Sequence, residues 1–150
     1  MLGTTFHQAG VIAYRVDHGQ VQVLLITARN TGRWIIPKGN IDPDTLPSAA
    51  AETEAYEEAG VKGTIEASLP FGFYTCFKKN HIGARVPTSV EVYLLRVYKQ
   101  VKNWPEKWQR RQAWLPIDEA IDLVEEPGIV PLLQRLSELI ETDLMSAERL

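Results

Sequence analysis

The sequence is short of the features that would tie it to an oxidising compartment, a membrane or a nucleic acid. Its one cysteine, Cys76, excludes an internal disulfide and makes a reducing cytoplasm the default location. No apolar run is long enough to span a bilayer, and the opening residues, Met1-Leu2-Gly3-Thr4-Thr5, lack the charged and apolar regions of a signal peptide. Positive charge is in deficit. The 16 Lys and Arg stand against 19 Asp and Glu, a net charge of −3, so the basic face of a dedicated nucleic-acid or membrane-surface binder is not expected. Internal repeats, low-complexity tracts and linkers are also missing. What remains is 150 residues, read as a single domain over 1–150 and long enough to bury a real core.

Hydrophobic patterning predicts strands over 6–14 and 21–28, joined through Asp17-His18-Gly19. A second turn at Asn30-Thr31-Gly32 leads into a short apolar strand around Trp34. Residues 64–78 and 89–98 read as β, flanking a long polar loop from Lys79 to Pro87. A short strand over 112–115 and a short helix over 117–124 follow. Beyond Pro127-Gly128, Leu132, Leu133, Leu136, Leu139, Ile140 and Leu144 recur on one face of a last helix. Strands interspersed with a few helices predict an α/β or α+β sandwich. Among single residues, Trp34, Tyr56 and Cys76 read as packing, Trp104 and Trp108 as exposed, and His7 and His18 as structural or surface.

The segment from Gly39 to Gly60 carries most information. Pro47 fits a first helical position, where its missing N–H costs nothing, and Gly60 supplies a left-handed stop. Between them Glu54, Glu57 and Glu58 stand three and four apart, so their carboxylates share one side of a helix. Like charges so placed repel by roughly 0.2–0.5 kcal/mol per pair in an isolated helix. Mg²⁺ or Mn²⁺, which prefer oxygen ligands, would neutralise them. Ser48, Ala51, Ala55 and Ala59 form a small-residue flank that would let this helix lie close to a sheet. The strand and tight loop just upstream leave the Gly39 carbonyl free to join the carboxylates.

This segment resembles the Nudix box: a glycine, a loop, and a helix with an Arg-Glu-hydrophobic-any-Glu-Glu core closed by a glycine. Counted from Gly39, Glu54, Glu57, Glu58, Gly60 and Val61 fall in register. Thr45 stands where the box has its first glutamate, and Thr53 where it has the arginine that helps hold the Glu54 carboxylate. The resemblance extends over roughly residues 6–136, through Ala9-Gly10-Val11-Ile12-Ala13-Tyr14-Arg15, the Gly32–Gly39 segment, and Trp104 with Arg110-Arg111-Gln112-Ala113-Trp114. These features are similar to the branch that hydrolyses diphosphoinositol polyphosphates and diadenosine polyphosphates.

The resemblance implies an α/β/α sandwich with a mixed β-sheet between helices. It implies a metal-dependent pyrophosphohydrolase in which Gly39, Glu54, Glu57 and Glu58 hold one to three Mg²⁺ or Mn²⁺ ions, with the three glutamates catalytic. Glu91 is a further candidate ligand, and the general base is either one of the three glutamates or an acid near the 79–87 loop. Arg33 and Lys38 are candidate phosphate contacts. Lys78, Lys79, His81 and Arg85 form a basic cluster suited to a polyphosphate tail, and one of Arg110 and Arg111, taken as Arg111, reaches the substrate. The expected partner is a small nucleotide or polyphosphate, with no nucleic acid or membrane; a homodimer is compatible with the resemblance. Nucleotide sugars or nucleoside triphosphates are the alternative substrates. A sensor that binds a nucleotide without cleaving it is a second reading, favoured by Thr45 and Thr53 and opposed by the three retained glutamates. A protein–protein module using the apolar face of the last helix is a third.

Overall fold

The structure, a computed structural model, describes residues 6–148 and the side chains of residues 6–142. Strand β1 (Phe6–Asp17) is the spine. It runs antiparallel to β2 (Gln20–Thr27) through a turn in which His18 and Gly19 both adopt positive φ. On its other side β1 runs parallel to β7 (Arg85–Gln100), so the sheet is mixed. β3 (Trp34–Ile35) and β8 (Gln112–Pro116) pair with β2, β4 (Lys38–Asn40) with β1, and β5 (Val61–Ile65) and β6 (Gly72–Lys79) with β7.

Helices cover both faces. The alanine flank of α1 (Pro47–Ala59) works as its sequence predicts: Ala51, Ala55 and Ala59 are fully buried against Ala9, Val11, Ala13, Leu24 and Ile26. Short side chains on both partners allow helix and sheet to approach closely, which fixes where the carboxylates one turn round the helix point. On the opposite face α2 (Ile117–Leu123) and α3 (Val130–Glu148) pack Ile117, Ala120, Leu132, Leu133 and Leu136 onto Ile12, Val23, Leu25, Val90 and Val92. Leu139, expected on that buried face, is nearly half exposed, and Leu144 lies outside the described side chains. No described helix is long and apolar enough to cross a membrane.

The long loop expected from Lys79 to Pro87 is a tight hairpin instead. β6 continues to Lys79 and β7 begins at Arg85, directly opposite. Asn80 closes the turn, its side-chain oxygen accepting the Ile82 and Ala84 N–H groups. Pro87 sits one residue before β7 acquires β1 as its second neighbour, a stretch where a missing N–H is tolerated. Conversely, the single β segment expected over 64–78 is broken between Ile65 and Gly72, around Pro70.

Candidate active site

α1, β4, β6, the β2–β3 turn and the segment before β8 enclose a cleft of about 500 Å³. All four box residues, Gly39, Glu54, Glu57 and Glu58, line it. Glu58 is buried; its Oε1 accepts the Lys38 backbone N–H at 3.0 Å and its Oε2 accepts from Arg110 Nη2 at 3.0 Å. Burial pushes its carboxyl up to about 7, outweighing the downward pull of Arg110 and the Lys38 N–H. Glu54 is also raised, by burial first and then by Glu57 and Glu106. A Cβ on Gly39 would overlap the Glu54 carboxylate, so glycine is what lets that carboxylate lie against the β4 backbone.

Among the described residues no three acidic, histidine or cysteine side chains converge closely enough to enclose an ion. Both oxygens of Glu58 are engaged, Oε1 by the Lys38 backbone N–H and Oε2 by Arg110. The donor set nonetheless suits a hard divalent cation. It is made of oxygens only, and burial and mutual repulsion leave two of its carboxylates in need of positive charge.

This has a consequence for metal-free protein. With Glu58 near 7 when folded and at 4.5 as its ordinary value, the folded state binds the extra proton between these pH values. Stability from this group is therefore full below about pH 4.5 and is lost as pH rises through 7. In chelator, denaturant titrations at pH 5 and pH 8 should show wild type losing roughly 1–3 kcal/mol more than Glu58→Gln across that interval. Equal losses in the two proteins would show that Glu58 does not titrate there.

The other predicted residues divide. Arg33, Lys38 and Lys78 line the cleft. Arg33 donates to the Glu125 carbonyl, and Lys38 Nζ meets both oxygens of Glu126 at 2.9 Å. Lys79 and Arg85 do not line it. Strand alternation turns Lys79 away from Lys78, and its register partner Arg85 stacks on Phe77 at 4.5 Å. Arg111 also falls outside: exposed, it lies 5.5 Å from the Trp34 ring centroid. Arg110 is the one that turns in. Buried, it bonds Glu58, Glu106 and the Thr27 carbonyl. It supplies a cation to the box carboxylates from another element, while Thr53 is exposed.

Glu91 is turned to the Tyr93 hydroxyl, 3.0 Å away, and does not line the cleft. The acids outside the box that do line it are Glu106 and Glu126, which sequence reasoning missed. The i,i+4 spacing of Glu106 and Arg110 was one legible sign. Cys76 packs half-buried against the core as expected, and it also borders the cleft with Sγ 3.2 Å from Lys38 Nζ. Trp108 is exposed as expected, but Trp104 packs against Gly60 with its Nε1 buried and unpartnered among the described residues.

Residues 6–136 match the NUDIX domain family. The chain is a member of the Nudix family. Among similar proteins, diphosphoinositol polyphosphate phosphohydrolase 2 of Rattus norvegicus is 28% identical over 133 residues, covering 86% of this chain and 69% of that protein. Nudix hydrolase 21, chloroplastic, of Arabidopsis thaliana is 34% identical over 120 residues, covering 77% and 58%. The Nudix fold is shared with a binary complex of C. elegans Ap4A hydrolase at TM-score 0.70 and 24% identity, covering 92% of this chain and 99% of that one. Against Nudix hydrolase 12, mitochondrial, of Arabidopsis thaliana, the chain likewise spans only 62% of the relative's length.

Proposed function

We propose that this Nudix protein is a divalent-metal-dependent pyrophosphohydrolase that cuts a phosphoanhydride bond in a nucleoside diphosphate–X or polyphosphate compound. Diadenosine polyphosphates and diphosphoinositol polyphosphates are the favoured substrates, in keeping with the names of its relatives. The observation that carries the reading is the convergence of Gly39, Glu54, Glu57 and Glu58 on one cleft that also holds Arg33, Lys38 and Lys78.

The roles follow from position. Glu54, Glu57, Glu58 and the Gly39 carbonyl would hold Mg²⁺ or Mn²⁺, which would supply Lewis-acid stabilisation of charge developing on the phosphoryl oxygens and lower the pKa of a water. Arg33, Lys38 and Lys78 orient the diphosphate by charge-assisted hydrogen bonds. Arg110 keeps Glu58 in place against repulsion from Glu54 and Glu106. The free thiol of Cys76 agrees with a cytoplasmic location.

The test is chromatographic separation of reaction products with and without Mg²⁺ across diadenosine polyphosphates, diphosphoinositol polyphosphates, nucleotide sugars and nucleoside triphosphates. Separation is needed since an internal phosphoanhydride is cut into two phosphorylated products and only a terminal one releases orthophosphate. Mg²⁺-dependent turnover of one of the first two classes is the expected result. Tight nucleotide binding with no turnover of any compound would overturn it in favour of a sensor.

A further inference from the structure

Lys38 enters the cleft from β4, one residue before the box glycine, yet its ammonium is not loose. Two of its three protons go to Glu126, whose Oε1 and Oε2 both lie 2.9 Å from Nζ. The third faces the Sγ of Cys76 at 3.2 Å. Glu126 is itself buried and held by the Tyr74 hydroxyl, 3.0 Å from Oε1. Tyr74 is fixed in turn, since its Cβ packs where a side chain on Gly128 would sit. Burial, with Glu126 next, holds the Tyr74 phenol protonated well above its ordinary range, so it remains a donor. The strap therefore runs from the segment before α3, across β6, to the floor of the cleft.

The partners of Lys38 are unequal. A carboxylate gripping an ammonium through both oxygens is a strong, charge-assisted contact, whereas a thiol sulfur is a weak acceptor. A phosphoryl oxygen reaching Nζ would displace the sulfur and leave the carboxylate grip intact. Fixing a long lysine side chain beforehand also removes rotamer entropy that ligand binding would otherwise have to overcome.

We propose that Glu126 is the positioning residue for Lys38: it pins the ammonium so that its third proton, resting on Cys76, is presented to a substrate phosphoryl oxygen. Glu126 itself touches no substrate in this arrangement. The inference rests on the hydrolase reading for the identity of the ligand, but not on turnover.

The probe is imidodiphosphate, a diphosphate with a non-hydrolysable P–N–P link, titrated calorimetrically into the 150-residue chain in Mg²⁺. Lys38→Ala should weaken binding about tenfold, the loss of one charge-assisted bond. Glu126→Gln should weaken it severalfold, because the amide offers one acceptor where the carboxylate offers two. The double variant should bind no worse than Lys38→Ala alone, because Glu126 acts only through Lys38. Cys76→Ala should bind at least as well as wild type. Glu126→Gln is chosen because Glu126→Ala would leave the Lys38 ammonium and the Tyr74 hydroxyl without their shared partner and open a gap between them.

Thermal melts accompany each variant, and affinities are compared only among folded proteins. A merely structural role for Glu126 would shift the melts while the Gln and Lys38→Ala losses added independently, which would overturn the proposal. So would unchanged affinity in Lys38→Ala, or no binding of the probe by wild type. Mg²⁺-dependent turnover that survives those outcomes would leave the hydrolase reading standing, so the two failures are distinguishable.

Discussion

Glu58→Gln should lower Mg²⁺-dependent turnover by at least about 100-fold, the scale on which enzymes lose rate when one preorganised group stabilising transition-state charge is removed. The substitution is informative because it changes so little else. Glutamine retains an oxygen to accept the Lys38 N–H that Glu58 Oε1 accepts at 3.0 Å. Arg110 keeps Glu106 and the Thr27 carbonyl as partners when its contact to Oε2 is weakened. What disappears is a full negative charge in a buried position, and with it one of the oxygens proposed to hold the cation. The same variant is expected to be the more stable protein in chelator at pH 8, since ionised Glu58 is the costly form there. Lower activity in a more stable fold is the signature of a residue retained for chemistry. Steady-state rates at saturating Mg²⁺, with circular dichroism to verify folding, decide it. Undiminished turnover would mean that the metal is held elsewhere.

The candidate site was legible where its residues lie close together in sequence. Glu54, Glu57, Glu58 and Gly60 are joined by one helix, whose 3.6-residue period dictates that the carboxylates share a side and the alanines lie on the adjoining flank. The cations that complete the cleft come from distant segments, and there sequence could offer only candidates. Between Arg110 and Arg111 the one local sign is Glu106, four residues before Arg110. The rest of the choice is made by the Thr27 carbonyl, which comes within reach only after β2 and the segment before β8 have docked. Lys78 and Lys79 differ in the same way, through the alternation of a strand that read as ending one residue earlier. Glu126 was illegible altogether, because its importance comes from Lys38 and Tyr74, 88 and 52 residues away.

The fold was legible in its long, periodic elements and opaque where pairing overrides local signals. The box helix occupies the span expected from Pro47 and Gly60, and the last helix starts directly after the 3₁₀ turn that Pro127 and Gly128 form with Ile129. β4 has no hydrophobic pattern at all. Lys38, Gly39 and Asn40 form a strand because β1 offers them ladder partners at Gly10, Ala9 and Gln8. β7 extends through Pro87 and Thr88 for the same reason, with β6 on one side and β1 taking up the other from Thr88.

Gly60→Ala should be the most damaging small substitution in the box, costing about 2–5 kcal/mol. Two costs add. Gly60 closes α1 with φ 68° and ψ 27°, a left-handed conformation that penalises an L-residue by roughly 1–2 kcal/mol. A methyl group there would also overlap the six-membered ring of Trp104, and overpacking of that kind costs typically about 1–3 kcal/mol. The indole has little room to yield. The chain returns from Trp104 to the helix end through the Glu106 N–H bonded to the Glu57 carbonyl at 3.0 Å, and Val101 N–H bonds the Gly60 carbonyl at 2.9 Å. Gln100 and Gln112 further tie the Ala59 carbonyl with their side-chain amides. Gly19→Ala separates the two costs, because Gly19 has a similar φ of 74° but open space where its Cβ would stand. For a chain of this size the melting temperature should fall by roughly 5–15 °C for Gly60→Ala and by only a few degrees for Gly19→Ala. Since Glu57 and Glu58 lie in the turn that Gly60 terminates, the folded fraction of Gly60→Ala should also bind Mg²⁺ more weakly, whereas Gly19→Ala should bind it normally. Equal melting shifts in the two variants would mean that the Trp104 contact contributes nothing, and that backbone conformation alone sets the need for glycine at the helix end.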